Sequence, residues 1–325
     1  MIYWCMFDVL KKILFIASLS FCHYLLSQDT TVWKHFLNTK SNLSQNKSRI
    51  YLAGAGSAAG YGAGLVTLSN AWYQQYPQTS FHFFNDNSDW LQMDKAGHVF
   101  GAYTAGKMSM ELWRWAGLSR RQRIWTGGLS GTAFMTVVEL LDGFSTEWGF
   151  SLGDVTANLA GSSLLITQEL AWNEQRIHAK FSFHRNDYES YSLNQKADML
   201  FGMRATERML KDYNGQTYWL SINLKSFARQ SKLPAWLNIA IGYGAEGMFG
   251  GTENFLQDSN GNILFDRRDI PRYRKWYLSP DIDLTKIKTR SHFLRAGFFL
   301  LNSLKFPAPS IGFSKKGIEW NWIHF

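Results

Sequence analysis

Three short stretches of this 325-residue chain carry ionisable or amide side chains at helical spacing. They are Asp94-Lys95-Ala96-Gly97-His98, Glu139 with Asp142, and Asp154 with Asn158. Side chains three or four positions apart share one face of an α-helix, and the residues around each stretch are small and apolar. We expect three packed helices to bring Asp94, Lys95, His98, Glu139, Asp142, Asp154 and Asn158, the polar cluster, into one interior.

Two kinds of chemistry are compatible with the polar cluster. An imidazole beside carboxylates can bind a divalent cation, and a carboxyl with a raised pKa can act as a general acid beside an ionised partner. The candidate catalytic residues are then Asp94, His98, Glu139 and Asp154. The sequence has no His-Glu-x-x-His motif and no paired cysteines, so a metal at His98 and any other cofactor stay unknown.

The alternative is that the polar cluster only stabilises the helices. Lys95 or an arginine from the group Arg120, Arg121 and Arg123 can neutralise the acids, while Asp94 and Asp154 can cap their helices. Buried ion pairs fix the register of packed helices in some proteins, and such networks perturb pKa values as active sites do. The sequence therefore favours the structural interpretation over catalysis.

Residues 1–28 have the layout of an export signal. Positive residues precede the apolar run Ile13–Phe21, and a polar sequence follows from Asp29. This run is short for a permanent membrane anchor. Both cysteines, Cys5 and Cys22, lie in this segment, so the mature chain needs no disulfide. Lipidation of Cys22 stays open, because the residue before it is larger than a lipoprotein signal prefers. We predict a location in the cell envelope, at the outer membrane or in the periplasm.

The composition limits the classes of molecule that the protein is expected to bind. Aromatic residues make up 16% of the chain and the formal net charge is +9, while the mean hydropathy of −0.22 is low for a polytopic inner-membrane protein. A cationic chain favours anionic partners, and export excludes nucleic acid. Membrane lipids or lipopolysaccharide are the expected partners, with other envelope proteins as a further class. The residues predicted to contact anionic lipid are Arg267, Arg268, Arg272, Arg274 and Lys275.

A helical bundle is predicted over residues 50–173, after a polar arm at 29–49. Its four antiparallel helices are expected at Ile50–Leu68, at Met93–Gly117, from Ser119 to Asp142, and from about Ser151 to Trp172. The uncharged first helix is either a membrane span or a buried helix of the bundle. Its glycines at four-residue spacing, Gly56, Gly60 and Gly64, predict a groove for the small residues of the second helix.

Residues 174–325 predict a strand-rich antiparallel unit, which makes the fold class α+β. Strands are expected at Lys180–His184, Tyr218–Leu224, Leu237–Ala245, Lys275–Leu284 and Gly317–Phe325, helices at Leu193–Asn214 and Ser291–Leu304, and a break at Pro307–Pro309. In Leu237–Ala245, apolar residues alternate with small ones. A closed, lipid-exposed barrel and a partly open sheet both stay compatible with this pattern.

The three polar stretches resemble a VanZ-like, YfiM-type family of envelope proteins. The resemblance is carried by Asp94-Lys95-x-x-His98, the acidic pair Glu139 and Asp142, and Gly153-Asp154 with Gly161. Trp148 and Phe150 fit as well. It covers roughly residues 90 to 170 and implies a small exported helical domain without an established activity. This chain departs from it in its weak lipoprotein signal and its long strand-rich extension.

These patterns predict an uncharacterised envelope protein, acting as a non-catalytic structural or assembly component at the outer membrane. The alternative is a metal-dependent or acid/base-dependent enzyme that acts on an envelope lipid or glycan.

Overall fold

The computed structural model describes residues 47–73, 76–258 and 260–324. The chain divides into two compact units. Among the described residues, the first unit contains those up to Phe84, then Gly101–Ser151 and Asn158–Leu170, and the second contains Asn85–Phe100, Leu152–Ala157 and the chain from Ala171. The predicted export signal, Cys22 and most of the polar arm lie outside the described residues. Helices followed by an antiparallel sheet confirm the predicted α+β class.

Within the described part of the chain, four long helices come first, as predicted. They are α1 (Lys47–Trp72), α2 (Met93–Ala116), α3 (Arg120–Asp142) and α4 (Leu152–Trp172). Gly117, with a φ of 89°, follows the last residue of α2 in a left-handed conformation that glycine adopts without steric cost. Ser119 then forms a capping box with Gln122, which satisfies free N–H groups at the start of α3. The division between the units falls within α2 and within α4.

Close helix packing in the first unit occurs between α2 and α3. A Cβ atom added at Gly131 would lie 1.9 Å from the carbonyl oxygen of Ala102, and one at Gly127 would lie 2.4 Å from the Cα of Met110. Both distances are far below van der Waals contact. The absence of side chains on α3 is therefore what permits the two backbones to approach.

The predicted glycine groove on α1 is wrong in its position. Gly60 has no neighbour within 4 Å of an added Cβ, and Gly64 faces the ring of Phe134 at 3.1 Å. Gly56 makes only ordinary contact with a leucine side chain of α2. The small residues Ala102 and Gly106 of α2 instead pack against Gly131 of α3. Gly127 and Gly131 are four residues apart, so both lie on the face of α3 that α2 covers.

Of the helices that the structure describes, only α3 is long and apolar enough to cross a membrane by length and composition. The mean hydropathy of its most apolar window is 1.2, and a third of that window is buried. The segment Ile50–Leu68, which lies in α1, is not such a helix. One helix of this kind is weak evidence for a span, since core helices share these properties.

The second unit contains a six-stranded antiparallel sheet in the order β1-β2-β3-β6-β7-β8. The strands are β1 (Ile177–Phe183), β2 (Gln216–Asn223), β3 (Leu237–Glu246), β6 (Tyr273–Ile282), β7 (Ala308–Ser314) and β8 (Gly317–His324), while β4 (Phe255–Gln257) and β5 (Ile263–Asp266) form a separate hairpin. On the outer side of β1, the backbone of Phe181 bonds to Ser303 and Lys305. The order makes β1 and β8 the edge strands of the sheet, as far as the structure describes it.

Two predicted elements differ from the observed ones. The helix expected at Leu193–Asn214 is two helices, α5 (Tyr191–Phe201) and α6 (Ala205–Lys211), because Gly202 takes a φ of 85° between them. The break expected at Pro307–Pro309 contains the start of β7. The register with β8 shifts between Ala308 and Ser310. Pro309 therefore lies at an irregularity of the strand, where a missing N–H group is tolerated. The short remaining helices are α7 (Leu224–Phe227) and α8 (His292–Leu301).

The sheet buries its polar face and exposes its apolar face. In β3, Asn238 and Ala240 are buried, whereas Ile241 is 46% exposed. In β6, Lys275 and Asp281 are buried, whereas Trp276 is 52% exposed. The alternation predicted for β3 is therefore present, but its small and polar side is the one that faces inward.

The sheet curls around this polar face. The ring of His324 in β8 lies 5.2 Å from that of Trp219 in β2 and 4.3 Å from that of Tyr277 in β6. Its Nε2 atom lies 3.3 Å from the Thr217 hydroxyl. An edge strand thus reaches a strand near the opposite edge through its inward side chain.

Candidate functional site

Lys95 is the centre of a compact ionic site in the second unit. Its ammonium nitrogen lies 2.7 Å from an Asp86 oxygen, 3.2 Å from an Asp94 oxygen and 2.7 Å from an Asp154 oxygen. Asp94 and Lys95 belong to the first turn of α2, and Asp154 to the first turn of α4. We call Asp86, Asp94, Lys95, His98 and Asp154 the Lys95 site. Three carboxylates around one cation link the starts of two helices.

His98 lies one turn along α2 from Asp94 and faces the same carboxylates. Its Nε2 atom is 3.7 Å from Asp94 Oδ1 and 3.7 Å from Asp154 Oδ1. One donor atom from each of these three residues lies within 4.8 Å of the others. Zinc–ligand bonds of about 2.0–2.1 Å would require the donors to move somewhat closer. A divalent cation would also have to displace Lys95, which already contacts both carboxylates.

The two central carboxyl groups differ in acidity. Burial raises the pKa of Asp154, the negative charge of Asp94 raises it further, and Lys95 only partly offsets these effects. Burial also opposes ionisation of Asp94, but His98 and Lys95 favour its charged form more strongly, so its pKa is lowered. A protonated carboxyl beside an ionised one is the pattern of acid/base pairs, and ion-pair networks produce it as well.

Two tyrosines complete the site, and the sequence analysis missed both. The Tyr213 hydroxyl donates a hydrogen bond to Asp94 Oδ1 at 3.0 Å. The Tyr218 hydroxyl lies against Gly97, where an added Cβ would come within 2.9 Å of it. Burial and the charge of Asp94 raise the pKa of both hydroxyls, so they stay neutral donors. The only local signal was Gly97, whose small size makes room for a ring.

The chain enters α2 through a strained segment. Trp90, Leu91 and Gln92 have φ angles of 48°, 51° and 62°, a left-handed region that such residues rarely occupy. The Trp90 N–H group donates to the carbonyl of Gly251 at 2.7 Å, and the Tyr243 hydroxyl donates to the carbonyl of Leu91. Backbone strain of this kind costs about 1–3 kcal/mol per residue and persists where surrounding contacts impose it. These contacts fix the start of α2 and hence the Lys95 site.

The other predicted members of the polar cluster lie in the first unit. Glu139 is 1% exposed and accepts a hydrogen bond from the Ser151 N–H group at 3.2 Å. Asp142 accepts one from the Tyr73 hydroxyl at 2.6 Å. Asn158 is fully buried. The structure brings Asp94, Lys95, His98 and Asp154 together, whereas convergence of the remaining three with them stays a prediction.

The cationic run predicted to meet lipid is largely engaged within the second unit. The pairs are Arg267 with Asp269, Arg268 with Asp266, Arg272 with the Gly251 carbonyl, Arg274 with the Tyr243 hydroxyl, and Lys275 with Glu246 and Glu319. Lys275 is also buried. Lipid contact by these residues stays a prediction.

Comparison with known proteins identifies one similarity. Residues 82–168 match a family described as "Predicted periplasmic lipoprotein (DUF2279)". The match covers about a quarter of the chain and includes every member of the Lys95 site, but neither tyrosine. No curated protein and no solved structure matches significantly. The family description agrees with the location predicted from the N-terminal segment. This is therefore a protein of the cell envelope, and its residues 82–168 are similar to an uncharacterised family.

Proposed function

We propose that the protein is a non-catalytic structural component of the envelope, associated with the outer membrane through its six-stranded sheet. The observation that carries the proposal is the inverted burial of that sheet, with charged residues inside and apolar residues outside. The Lys95 site then stabilises the fold. We also propose that the similarity over residues 82–168 extends to the VanZ-like, YfiM-type proteins that the polar stretches resemble.

The outer face of the sheet is apolar and aromatic. In β8, Ile318 is 76% exposed, Trp320 52% and Trp322 77%. In β7, Phe313 is 41% exposed. Proteins in water rarely leave a contiguous apolar surface uncovered, and alternation of apolar outward with polar inward residues is typical of strands that face lipid.

The inner face holds charges that pair with one another. Lys180 contacts Asp281 at 2.8 Å, and both side chains are fully buried. His178 contacts Asp283 at 3.2 Å, also out of solvent. A sheet of a water-soluble domain normally buries its apolar side and leaves its charges in solvent. The reversed arrangement supports lipid, including the lipid part of lipopolysaccharide, as the medium around the outer face, with other envelope proteins as a second class of partner.

The Lys95 site supports a structural role more strongly than a catalytic one. Its lysine neutralises carboxylates from a loop and from two helix starts, and breaking such a buried pair strongly destabilises proteins. The backbone before α2 is held by contacts with Tyr243 of β3 and with Gly251, which follows that strand. These features are sufficient to explain why charged residues lie in this interior.

A second candidate is an acid/base or metal-dependent enzyme acting on an envelope lipid or glycan. What favours it is the proximity of His98 to two carboxyls of different acidity. Metal analysis of the purified protein separates the two roles, with His98→Ala as the comparison. Stoichiometric metal that is lost in His98→Ala would support the enzyme. Absence of metal with a lower melting temperature for His98→Ala would support the structural role.

Depth-dependent quenching tests the lipid-facing sheet. In the full chain with Cys5→Ser and Cys22→Ser, a single cysteine replaces Trp320 and carries an environment-sensitive fluorophore. The protein is reconstituted into phospholipid vesicles that contain lipids spin-labelled deep in the acyl chain. We expect strong quenching at position 320 and little at a matched label on Met199, which is 80% exposed on α5. Equal and weak quenching at both positions would refute the lipid-facing sheet.

A further inference from the structure

The helix α8 exposes an apolar surface of its own. All of its residues are described and none is buried, although eight of its ten residues are apolar or glycine. Phe293 is 85% exposed, Leu300 54% and Leu301 54%. The helix nevertheless begins with a regular cap, because the Ser291 hydroxyl accepts a hydrogen bond from the Leu294 N–H group at 3.3 Å. An ordered helix therefore exposes Phe293, Leu300 and Leu301.

The apolar surface continues on both sides of α8. Ile287 precedes the helix and is 36% exposed, while Leu304 and Phe306 follow it and are 48% and 44% exposed. A Cβ atom added at Gly297, in the middle of the helix, would meet nothing within 4 Å. Between Ile287 and Phe306, the exposed apolar side chains on and beside α8 thus form one surface, here called the segment, whereas Asn302, Ser303 and Lys305 are buried.

The sequence of this part of the chain carries charge of one sign. From Leu284 to Ile318 the sequence contains no aspartate or glutamate and seven lysines or arginines. Lys288, Arg290 and Arg295 are exposed around the start of α8. Among the described residues, the hydrogen bond that Arg295 donates is a long one of 3.5 Å, to the Thr289 carbonyl. An apolar face flanked by exposed cations complements a surface that offers both acyl chains and negative charge.

We propose that α8 lies in the interfacial plane of an anionic phospholipid bilayer. Phe293, Leu300 and Leu301 enter the boundary between head groups and acyl chains, and Lys288, Arg290 and Arg295 contact lipid phosphates. Interfacial helices combine an apolar face with such basic residues, and bind in proportion to apolar area and anionic charge. The inference rests on the proposed membrane association, but it is carried by different residues and specifies a shallower depth and a headgroup charge.

A label on α8 tests this position in the same cysteine-free full chain. The fluorophore is attached at Leu294→Cys, and the vesicles are phosphatidylcholine with or without phosphatidylglycerol. We expect stronger quenching by lipids spin-labelled near the headgroup than by those labelled deep in the acyl chain, and only when phosphatidylglycerol is present. Headgroup attraction of about 1 kcal/mol per basic residue corresponds to roughly a fivefold effect for each cation.

A charge variant with a matched control isolates the cations. Replacing Lys288, Arg290 and Arg295 with glutamine should lower the apparent affinity for anionic vesicles, measured by shallow quenching at position 294, by about tenfold or more. The same charge change at Arg185, Arg229 and Lys232, which lie outside the segment, should leave it unchanged. Equal effects of the two triple variants would overturn the assignment of these three cations.

The two lipid contacts can fail separately. Deep quenching at position 320 without shallow quenching at 294 would overturn the inference for α8 and leave the lipid-facing sheet in place. Shallow quenching at 294 alone would support α8 as the membrane contact and overturn the sheet. Quenching of 294 that is equal in neutral and anionic vesicles would overturn the phosphate contacts.

Discussion

Lys95 Nζ lies 2.7 Å from Asp154 Oδ1, although the two residues belong to different helices. The side chains are only 15% and 4% exposed, so solvent screens the interaction weakly. A second carboxylate, Asp86, contacts the same ammonium at the same distance. The cation therefore joins acidic side chains from a loop and from the starts of α2 and α4.

Replacing Lys95 with methionine removes the cation and keeps much of the volume. We expect the free energy of unfolding to fall by about 3 kcal/mol, since the remaining carboxylates are left buried without a counter-charge. Denaturant titration measures the change. The double variant Lys95→Met with Asp94→Asn should recover part of the loss, because Asp94, whose pKa is lowered, is the ionised carboxylate and the second change removes its charge. A double variant less stable than the single one would contradict this account.

The pKa of Asp154 gives a pH dependence of stability. Its folded pKa is raised above the ordinary value, so its contribution to stability is full below that ordinary value and is lost as the pH rises through the folded pKa. Asp154→Asn should therefore gain stability relative to the natural protein as the pH rises from acidic to alkaline. Denaturant titrations of both proteins across that range measure the difference. A difference that does not change with pH would show that burial does not hold the proton on Asp154.

Glycine on α3 is predicted to be essential and glycine on α1 replaceable. Gly131→Ala places a methyl group 1.9 Å from the Ala102 carbonyl oxygen, so α2 and α3 must separate, at a cost of about 1–3 kcal/mol or more. Gly60→Ala meets nothing within 4 Å, and should be neutral or stabilise by up to about 1 kcal/mol through helix propensity. Thermal denaturation compares the two variants. Equal melting temperatures would argue against the close approach at Gly131.

The helices were predictable because residues next to their ends mark where they begin and end. The capping box at Ser119 and the turn at Gly117 mark the boundary between α2 and α3 in the sequence itself. Which helix receives which glycine was not predictable, since the repeat on α1 and the glycines of α3 look alike until a partner is known. Asp94 with His98 follows from helical spacing, but the contact of Tyr213 with Asp94 joins distant parts of the chain and leaves no local pattern.

Which face of the sheet is buried was also not predictable from the sequence. The alternation in β3 correctly indicated two different faces, because side chains of a strand point to opposite sides. Which face is buried depends on whether the surroundings are water or lipid. The strand pattern alone is the same in both cases, and only the buried pairs such as Lys180 with Asp281 reveal the inward side.

His324 is expected to make the stability of the folded protein depend on pH. Burial first, and then the nearby groups His184, Lys305 and Lys275, lower its pKa from the ordinary 6.5 to about 3. Its neutral form is the folded form, so its contribution to stability is full above pH 6.5 and is lost as the pH falls toward 3. The loss is at most about 1.4 kcal/mol for each pH unit.

The comparison that isolates this effect is His324→Gln, whose amide can still bond to the Thr217 hydroxyl but does not titrate. The natural protein should lose stability relative to this variant between pH 6.5 and 3, as measured by denaturant titration at several pH values. His292→Gln, at an exposed position on α8, serves as the matched control and should follow the natural protein. If His324→Gln also follows the natural protein throughout, then the pKa of His324 is not lowered, and burial does not keep water from its ring.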